Sequence, residues 1–300
     1  MSRNQKGGAA LCAILAAALY ALSTPMAKYL MAEEVSSGMM AALLYLGAGL
    51  GTGAMMLMRK AVGRSGPAQA RRKGEGKYIL GMILLDIAAP ISLMAGLTTT
   101  TAANASLMNN FEIVATSFIA LMIFREKIGG RLWGAIGLIT LSTVILSFEG
   151  GSSLSFSSGS LLVLLACVLW GFENNCTRML SEGDPLTVVV IKGLCSGTGA
   201  LALAFLAGER LPGWQGLLGA LLLCFLAYGL SIYFYVTAQR DLGAAKTSAY
   251  YAVAPFIGAA LSMLIFRTRP DAAFICALIM MALGVDLLSE RPVIFRKKAG

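Results

Sequence analysis

The stretch TAANASLMNNFEIVATSFIALMIFRE, Thr101–Glu126, has a counterpart in GAAKTSAYYAVAPFIGAALSMLIFRT, Gly243–Thr268. Ala102, Ala103, Ser106, Ile123, Phe124 and Arg125 recur 142 positions later as Ala244, Ala245, Ser248, Ile265, Phe266 and Arg267. Two more blocks repeat in the same order. Gly47, Gly51 and Gly53 return 146 positions later as Gly193, Gly197 and Gly199. Leu19-Tyr20-Ala21 with Lys28 return 150 positions later as Leu169-Trp170-Gly171 with Arg178. Ordered blocks at a nearly constant offset point to a duplicated unit, residues 1–150 and 151–300.

Each unit contains five apolar runs. They lie near 9–31, 37–58, 78–97, 100–124 and 132–148, then 159–180, 186–207, 214–238, 244–266 and 272–289. A bilayer-crossing helix needs about 20 mostly apolar residues, so ten spans leave only short connections, the longest from Arg59 to Lys77. Five is odd, so the second unit enters the membrane upside down relative to the first. Inverted repeats of this kind are a construction principle of secondary transporters. The predicted fold is therefore all-α and integral to the membrane, ten transmembrane helices in a five-plus-five inverted repeat.

Composition agrees. Of 300 residues 57% are hydrophobic and 13% charged, with a mean hydropathy of +0.76. Soluble domains carry about a quarter charged residues, so a water-soluble enzyme is excluded. His is absent, which removes His-based metal, haem and Ser–His–Asp chemistry. Cys12, Cys167, Cys176, Cys195, Cys224 and Cys276 all fall in apolar runs without C-x-x-C spacing, so they read as packing residues, and neither a disulfide framework nor a metal site is expected. Arg3 and Lys6 before the run from Ala9 have the look of a signal peptide, but nine more runs follow, so the first is read as a retained span. No cofactor is predicted, and no Walker A pattern points to ATP.

The net charge of +9 reads as topology and lipid headgroup contact rather than nucleic-acid binding. With the N-terminus cytoplasmic, 19 of the 24 Lys and Arg fall inside. The expected location is thus the cell (inner) membrane, multi-pass, with both termini cytoplasmic. The partners expected are a small-molecule substrate and membrane lipid, the chain being a monomer or homodimer.

Ionisable residues at membrane depth are functional candidates because burying them is costly. Asp86 lies nine residues into its run, about 13 Å deep, and has only apolar sequence neighbours. Glu112 is twelve residues into the fourth run, beside Asn109 and Asn110. Glu173 and Lys192 sit at similar depth on consecutive antiparallel runs, where an ion pair is allowed and either charge alone would be expensive. Arg178 follows Glu173 by five positions, one more than the spacing that stacks side chains, and is available to a substrate carboxylate. Asn174 and Lys246 complete the polar set. Lys28, Arg125 and Arg267, at helix ends, read as snorkelling to headgroups.

Tyr20 and Trp170 are equivalent in the two units and suit the wall of a midplane pocket, where rings give shape and cation–π contact. Of the consecutive Tyr250 and Tyr251 only one can face a cavity squarely. Pro255 is expected to interrupt the ninth helix and free a carbonyl, and Pro90 and Pro25 could act alike. The Gly47–Gly53 run and Gly193-x-x-x-Gly197 read as close-packing seams.

Tyr20-Ala21…Lys28, Trp170-Gly171…Arg178, the A-x-x-S…F-R-E pattern from Ala103 to Glu126 and its companion from Ala245 to Arg267 resemble the drug/metabolite transporter (DMT) superfamily, EamA-type branch. The resemblance covers nearly the whole chain, although Thr268 stands where Glu126 has its acidic counterpart. The run from Trp170 to Arg178, followed by Lys192-Gly193, is similar to one bacterial subgroup. The resemblance implies alternating access around a cavity lined by helices 1, 3, 4, 6, 8 and 9, with helices 5 and 10 peripheral. It favours export and names no cargo. Charges of both signs suit a small polar zwitterion such as an amino acid, and proton coupling through Glu112 or Glu173 is the natural energy source. The competing classes are a membrane-embedded enzyme acting on a lipid head group, for which no clustered nucleophile, base or metal site exists in the sequence, and a non-transporting scaffold, for which buried carboxylates would be a needless cost.

Overall fold

The computed structural model describes residues 3–33, 35–62, 75–124, 130–147, 157–180, 185–242, 251 and 253–288. Among them every regular element is helical. The first run forms α1 in two pieces, Arg3–Ala21 and Ser23–Glu33. Pro25 causes the joint, since it has no N–H for the carbonyl of Ala21. Leu22 instead closes a tight turn on the carbonyl of Leu19 at 3.2 Å. The Ala21 oxygen is left facing Gly258, where an added Cβ would lie 3.1 Å from it.

Next come α2 (Ser37–Ala61) and α3 (Gly76–Thr99), the latter running through Pro90. Then the expected fourth helix departs from its reading. It is not continuous over 100–124 but divides into α4a (Ala102–Met108) and α4b (Phe111–Phe124). At the break Asn110, Glu112 and Ile113 each bond three residues back rather than four, at 3.1 Å. That orphans the Met108 carbonyl, which accepts from the Cys167 thiol at 3.5 Å. The Asn110 side-chain amide bonds the Leu107 carbonyl at 3.2 Å. Asn side chains that compete for local backbone groups are what makes an Asn pair a weak point in a helix.

The remaining helices are α5 (Gly130–Ser147) and α6 (Ser158–Met179). α7 consists of Pro185–Ile191, a π-helical turn Lys192–Ser196, and Gly197–Leu206. α8 consists of Trp214–Cys224, a second π-helical turn Phe225–Leu230, and Ser231–Leu242. α9 is Ala254–Phe266 and α10 is Ala272–Leu288. Tyr251 is helical and Val253 a turn residue, so the ninth run restarts at Ala254, just before Pro255. Pro255 sits in the first turn of α9, where its missing N–H leaves nothing unsatisfied. Lys246 and Tyr250 lie outside the described residues.

By length and composition, α1, α2, α3, α6, α7 and α8 can cross a membrane, while α5, α9 and α10 are shorter apolar helices. Large apolar side chains such as Leu57, Met58, Met122, Leu206 and Leu264 stand exposed on the outside, a surface that only lipid covers at no cost. Inside, α3 packs along α6, α1 along α8, α2 against α7, α4a against α9, and α5 against α10. Met39, Met40, Leu44, Leu93, Met94, Leu97, Leu107 and Met108 are all at most 2% exposed. They fill the end of the bundle nearest the α1–α2 and α3–α4a turns. Lys28, half-buried, donates its ammonium to the Thr100 carbonyl at that same end.

Candidate functional site

Glycines set the distances from which the site is built. A Cβ on Gly49 would lie 2.6 Å from the Leu194 nitrogen, and one on Gly193 only 2.4 Å from the Gly49 Cα. Only glycine at both positions lets α2 and α7 meet backbone to backbone. Four residues before Gly49, Tyr45 is thereby held against the start of the α7 π-turn, where Lys192 stands. Gly171 does the same between α6 and α4b, since a Cβ there would lie 2.7 Å from that of Ala115. Asn174, three residues on, then reaches Glu112.

The result is a linked set of polar side chains. Lys192 Nζ lies 2.9 Å from Glu173 Oε2 and 3.3 Å from Asp86 Oδ2. The Tyr45 hydroxyl donates to Asp86 Oδ1 at 2.7 Å, and the Trp170 indole N–H donates to the Tyr45 oxygen at 3.1 Å. The Thr177 hydroxyl donates to Glu173, one turn away. Asp86 and Glu173 are 0% and 1% exposed, while the Lys192 side chain is 21% exposed. Two buried carboxylates thus share one ammonium, whose remaining surface faces a cavity.

That cavity has a volume of about 290 Å³. Its polar wall is Asn109, Asn110, Glu112, Glu173, Asn174 and Lys192, and its aromatic wall Tyr20, Tyr45, Trp170, Tyr228 and Tyr251. The rings touch one another: Tyr20 lies 5.4 Å from Tyr228 and 5.5 Å from Tyr251, centroid to centroid. Glu112 Oε1 accepts from the Asn174 amide at 2.6 Å, and the same amide lies 3.3 Å from Thr116 Oγ1. A second cavity, bounded by Thr101, Asn104, Thr268, Arg269 and Asp271, shares no lining residue with the first.

Most sequence candidates converge here. Glu112, Glu173, Lys192, Asn109, Asn174, Tyr20 and Trp170 all line the cavity. Asp86 does not line it but stands behind, reached through Tyr45 and Lys192. Of the tyrosine pair, Tyr251 lines the wall. The Arg178 side chain lies outside the described residues. The lining helices differ from those implied by the resemblance. α2 and α7 contribute Tyr45, Ala48, Val189, Lys192 and Gly193, whereas no α3 residue lines the cavity. The Gly49–Gly193 approach draws α2 and α7 inward, and α3 is left in the second layer. Tyr45 and Tyr228 were not among the candidates; a lone hydroxyl inside an otherwise apolar run was the available signal for each.

A helical bundle coated in apolar side chains, with a small polar and aromatic cavity inside, has the form of a membrane transporter. The chain belongs to the EamA-like transporter family, which it matches over residues 7–148 and 157–289. That membership agrees with the superfamily to which the sequence motifs are similar. An uncharacterized transporter of Methanothermobacter thermautotrophicus is 29% identical over 218 residues, 69% of this chain and 63% of that relative. The chain thus spans less than two thirds of the length of this curated relative. A solved crystal structure of a protein aligns over 97% of this chain and 98% of its own, with a TM-score of 0.65 at 17% identity. That likeness carries the fold alone.

Proposed function

We propose that this protein is a secondary active transporter that moves a small polar metabolite such as an amino acid by alternating access, as an exporter, with Glu112 as the group that couples transport to protons. One observation carries the reading: a carboxylate at membrane depth lines the cavity and, among the described residues, is paired with no Lys or Arg. Such a group can exchange a proton for a ligand without a structural ion pair being broken. Glu173, by contrast, is held by Lys192 and belongs to the framework of the wall.

Alternating access is supported by the packing. Exchanging the first five helices for the last five leaves the set of pairs unchanged: α3–α6 becomes α8–α1, while α2–α7, α4a–α9 and α5–α10 map onto themselves. A two-fold relation between units 1–150 and 151–300 produces that pattern, and five helices per unit make it an inverted one. Buried Met and Leu side chains pack one end of the bundle in this conformation. Rocking one unit against the other would close the opposite end. Both termini would be cytoplasmic in the cell membrane, from the lopsided Lys and Arg count.

The deciding experiment uses proteoliposomes and a panel of labelled metabolites. Substrate exchange should occur without a gradient, and an imposed pH gradient should drive accumulation. Glu112→Gln should abolish the driven component while exchange stays measurable at higher substrate concentration. Driven transport by Glu112→Gln with unchanged pH dependence would remove Glu112 from the coupling role.

A further inference from the structure

We infer that the cavity recognises a positively charged nitrogen: its ligand is a small ammonium-bearing organic molecule whose charged head sits at Glu112 among Tyr20, Tyr228 and Tyr251. This rests on reading the cavity as the cargo site, and it specifies which end of the cargo is read. The ligand's carboxylate, where it has one, contributes nothing.

Three observations carry it. The first is charge. Among the described residues, Glu112 and Glu173 are the acids of the lining and Lys192 its one base, with Asp86 directly behind. Lys192 is bracketed by Glu173 and Asp86, so a ligand carboxylate would meet no uncommitted cation there and would face Glu112. Like charges brought together at a site are strongly disfavoured. The second is hydrogen bonding. Four donors of the wall are turned toward protein acceptors. The Asn174 amide bonds Glu112, the Asn110 amide bonds the Leu107 carbonyl, the Trp170 N–H bonds Tyr45, and the Tyr45 hydroxyl bonds Asp86. The Glu112 carboxylate keeps acceptor capacity beyond its one bond from Asn174. Asn109 Oδ1 is buried with no hydrogen-bond partner, and buried polar atoms of native proteins are nearly always paired. A ligand head that brings N–H donors suits the Glu112 carboxylate.

The third is the aromatic wall. Tyr20 stands 5.4 Å from Tyr228 and 5.5 Å from Tyr251, and Tyr251 in turn lies 5.0 Å from Tyr235, giving a continuous patch of ring beside the carboxylate. Ring faces attract ammonium groups, most strongly where water is excluded. A volume of about 290 Å³ is at the small end of ligand cavities, which run from about 300 to 1,000 Å³. It suits a single-ring amine.

The test is equilibrium binding to the purified full-length protein in detergent, with three matched probes: phenethylamine, phenylalanine and 3-phenylpropionate. Phenethylamine should bind at least as tightly as phenylalanine, and 3-phenylpropionate roughly tenfold or more weaker. Glu112→Gln should collapse the amine-to-acid ratio toward unity, a change of selectivity that loss of folded protein does not mimic. Should that variant fail to fold, Tyr251→Leu keeps the carboxylate and should weaken phenethylamine without affecting 3-phenylpropionate. Acid binding as tight as amine binding, tenfold preference for phenylalanine over the amine, or no binding of any probe would each overturn the inference. Binding needs no gradient, so amine binding without transport would remove the transporter reading alone. Transport of a metabolite with no amine preference would remove this one alone.

Discussion

Replacing Lys192 by Met keeps the length of the side chain and deletes its charge. Asp86 and Glu173, 0% and 1% exposed, then face each other's field with no cation between them. Removing one partner of a buried ion pair costs about 3–5 kcal/mol, and here two carboxylates are stranded at once, so the upper part of that range applies. Each keeps a hydroxyl donor, from Tyr45 and Thr177 respectively, which holds the loss within it. A chain of this size shifts its midpoint by roughly 2 °C per kcal/mol, so Lys192→Met should lower the thermal midpoint by about 8–10 °C. The assay is thermal unfolding of detergent-purified protein, each variant at identical detergent and protein concentration. The informative comparison is the triple variant with Asp86→Asn and Glu173→Gln added, which removes the stranded charges and should recover most of the loss. A Lys192→Met midpoint within about 1 °C of the parent, or a triple variant no more stable than the single one, would refute the view that these three charges form one interdependent unit.

Other outcomes follow from the same geometry. Gly193→Ala places a Cβ 2.4 Å from the Gly49 Cα and should cost about 1–3 kcal/mol. Gly53→Ala, with nothing within 4 Å, should instead stabilise α2 by about 0.5–1 kcal/mol; urea titration of the two variants side by side separates them. The Glu209 carboxylate accepts from the Ser36 hydroxyl at 2.6 Å and the backbone N–H groups of Gly38 and Met39 at 3.1 and 2.6 Å, capping α2 from a distant loop. Glu209→Ala should therefore lose about 1–2 kcal/mol, again read by unfolding. Single cysteines at Gly66 and Gly151 should be labelled from opposite faces of the membrane, the first from the cytoplasm. Labelling of both from one face would end the inverted-repeat reading.

The elements that could be read from sequence are those whose cause is local. Apolar runs of crossing length located the helices, and depth counting brought Glu173 and Lys192 to the same level, where they pair at 2.9 Å. Asp86 shows the limit. Its sequence neighbours are apolar, and its partners Tyr45 and Lys192 come from two other helices, so nothing within its own run reports them. The break at Asn109–Asn110 was within reach, because adjacent Asn residues favour local bonds over helix continuation, but the apolar residues on both sides outweighed that signal. The glycine seams were legible as packing. Their consequence for the cavity was not, since it depends on which glycines oppose each other across α2 and α7, a matter of register that only three-dimensional contact decides.

The division of α4 has a mechanical consequence. α4a packs chiefly on α9 and α4b chiefly on α6, although the Cys167 thiol of α6 also bonds the Met108 carbonyl at the end of α4a. An unbroken rod would transmit any tilt of one end to the other. A rod cut in the middle cannot, and relative motion of its anchorages turns into rotation about a few backbone torsions at the cut. Glu112 is two residues beyond Asn110, in the first turn of α4b, so a tilt of α4b about that break would swing its carboxylate relative to Tyr20 and Tyr251. The position of the cavity's charge is thus tied to the angle at that break.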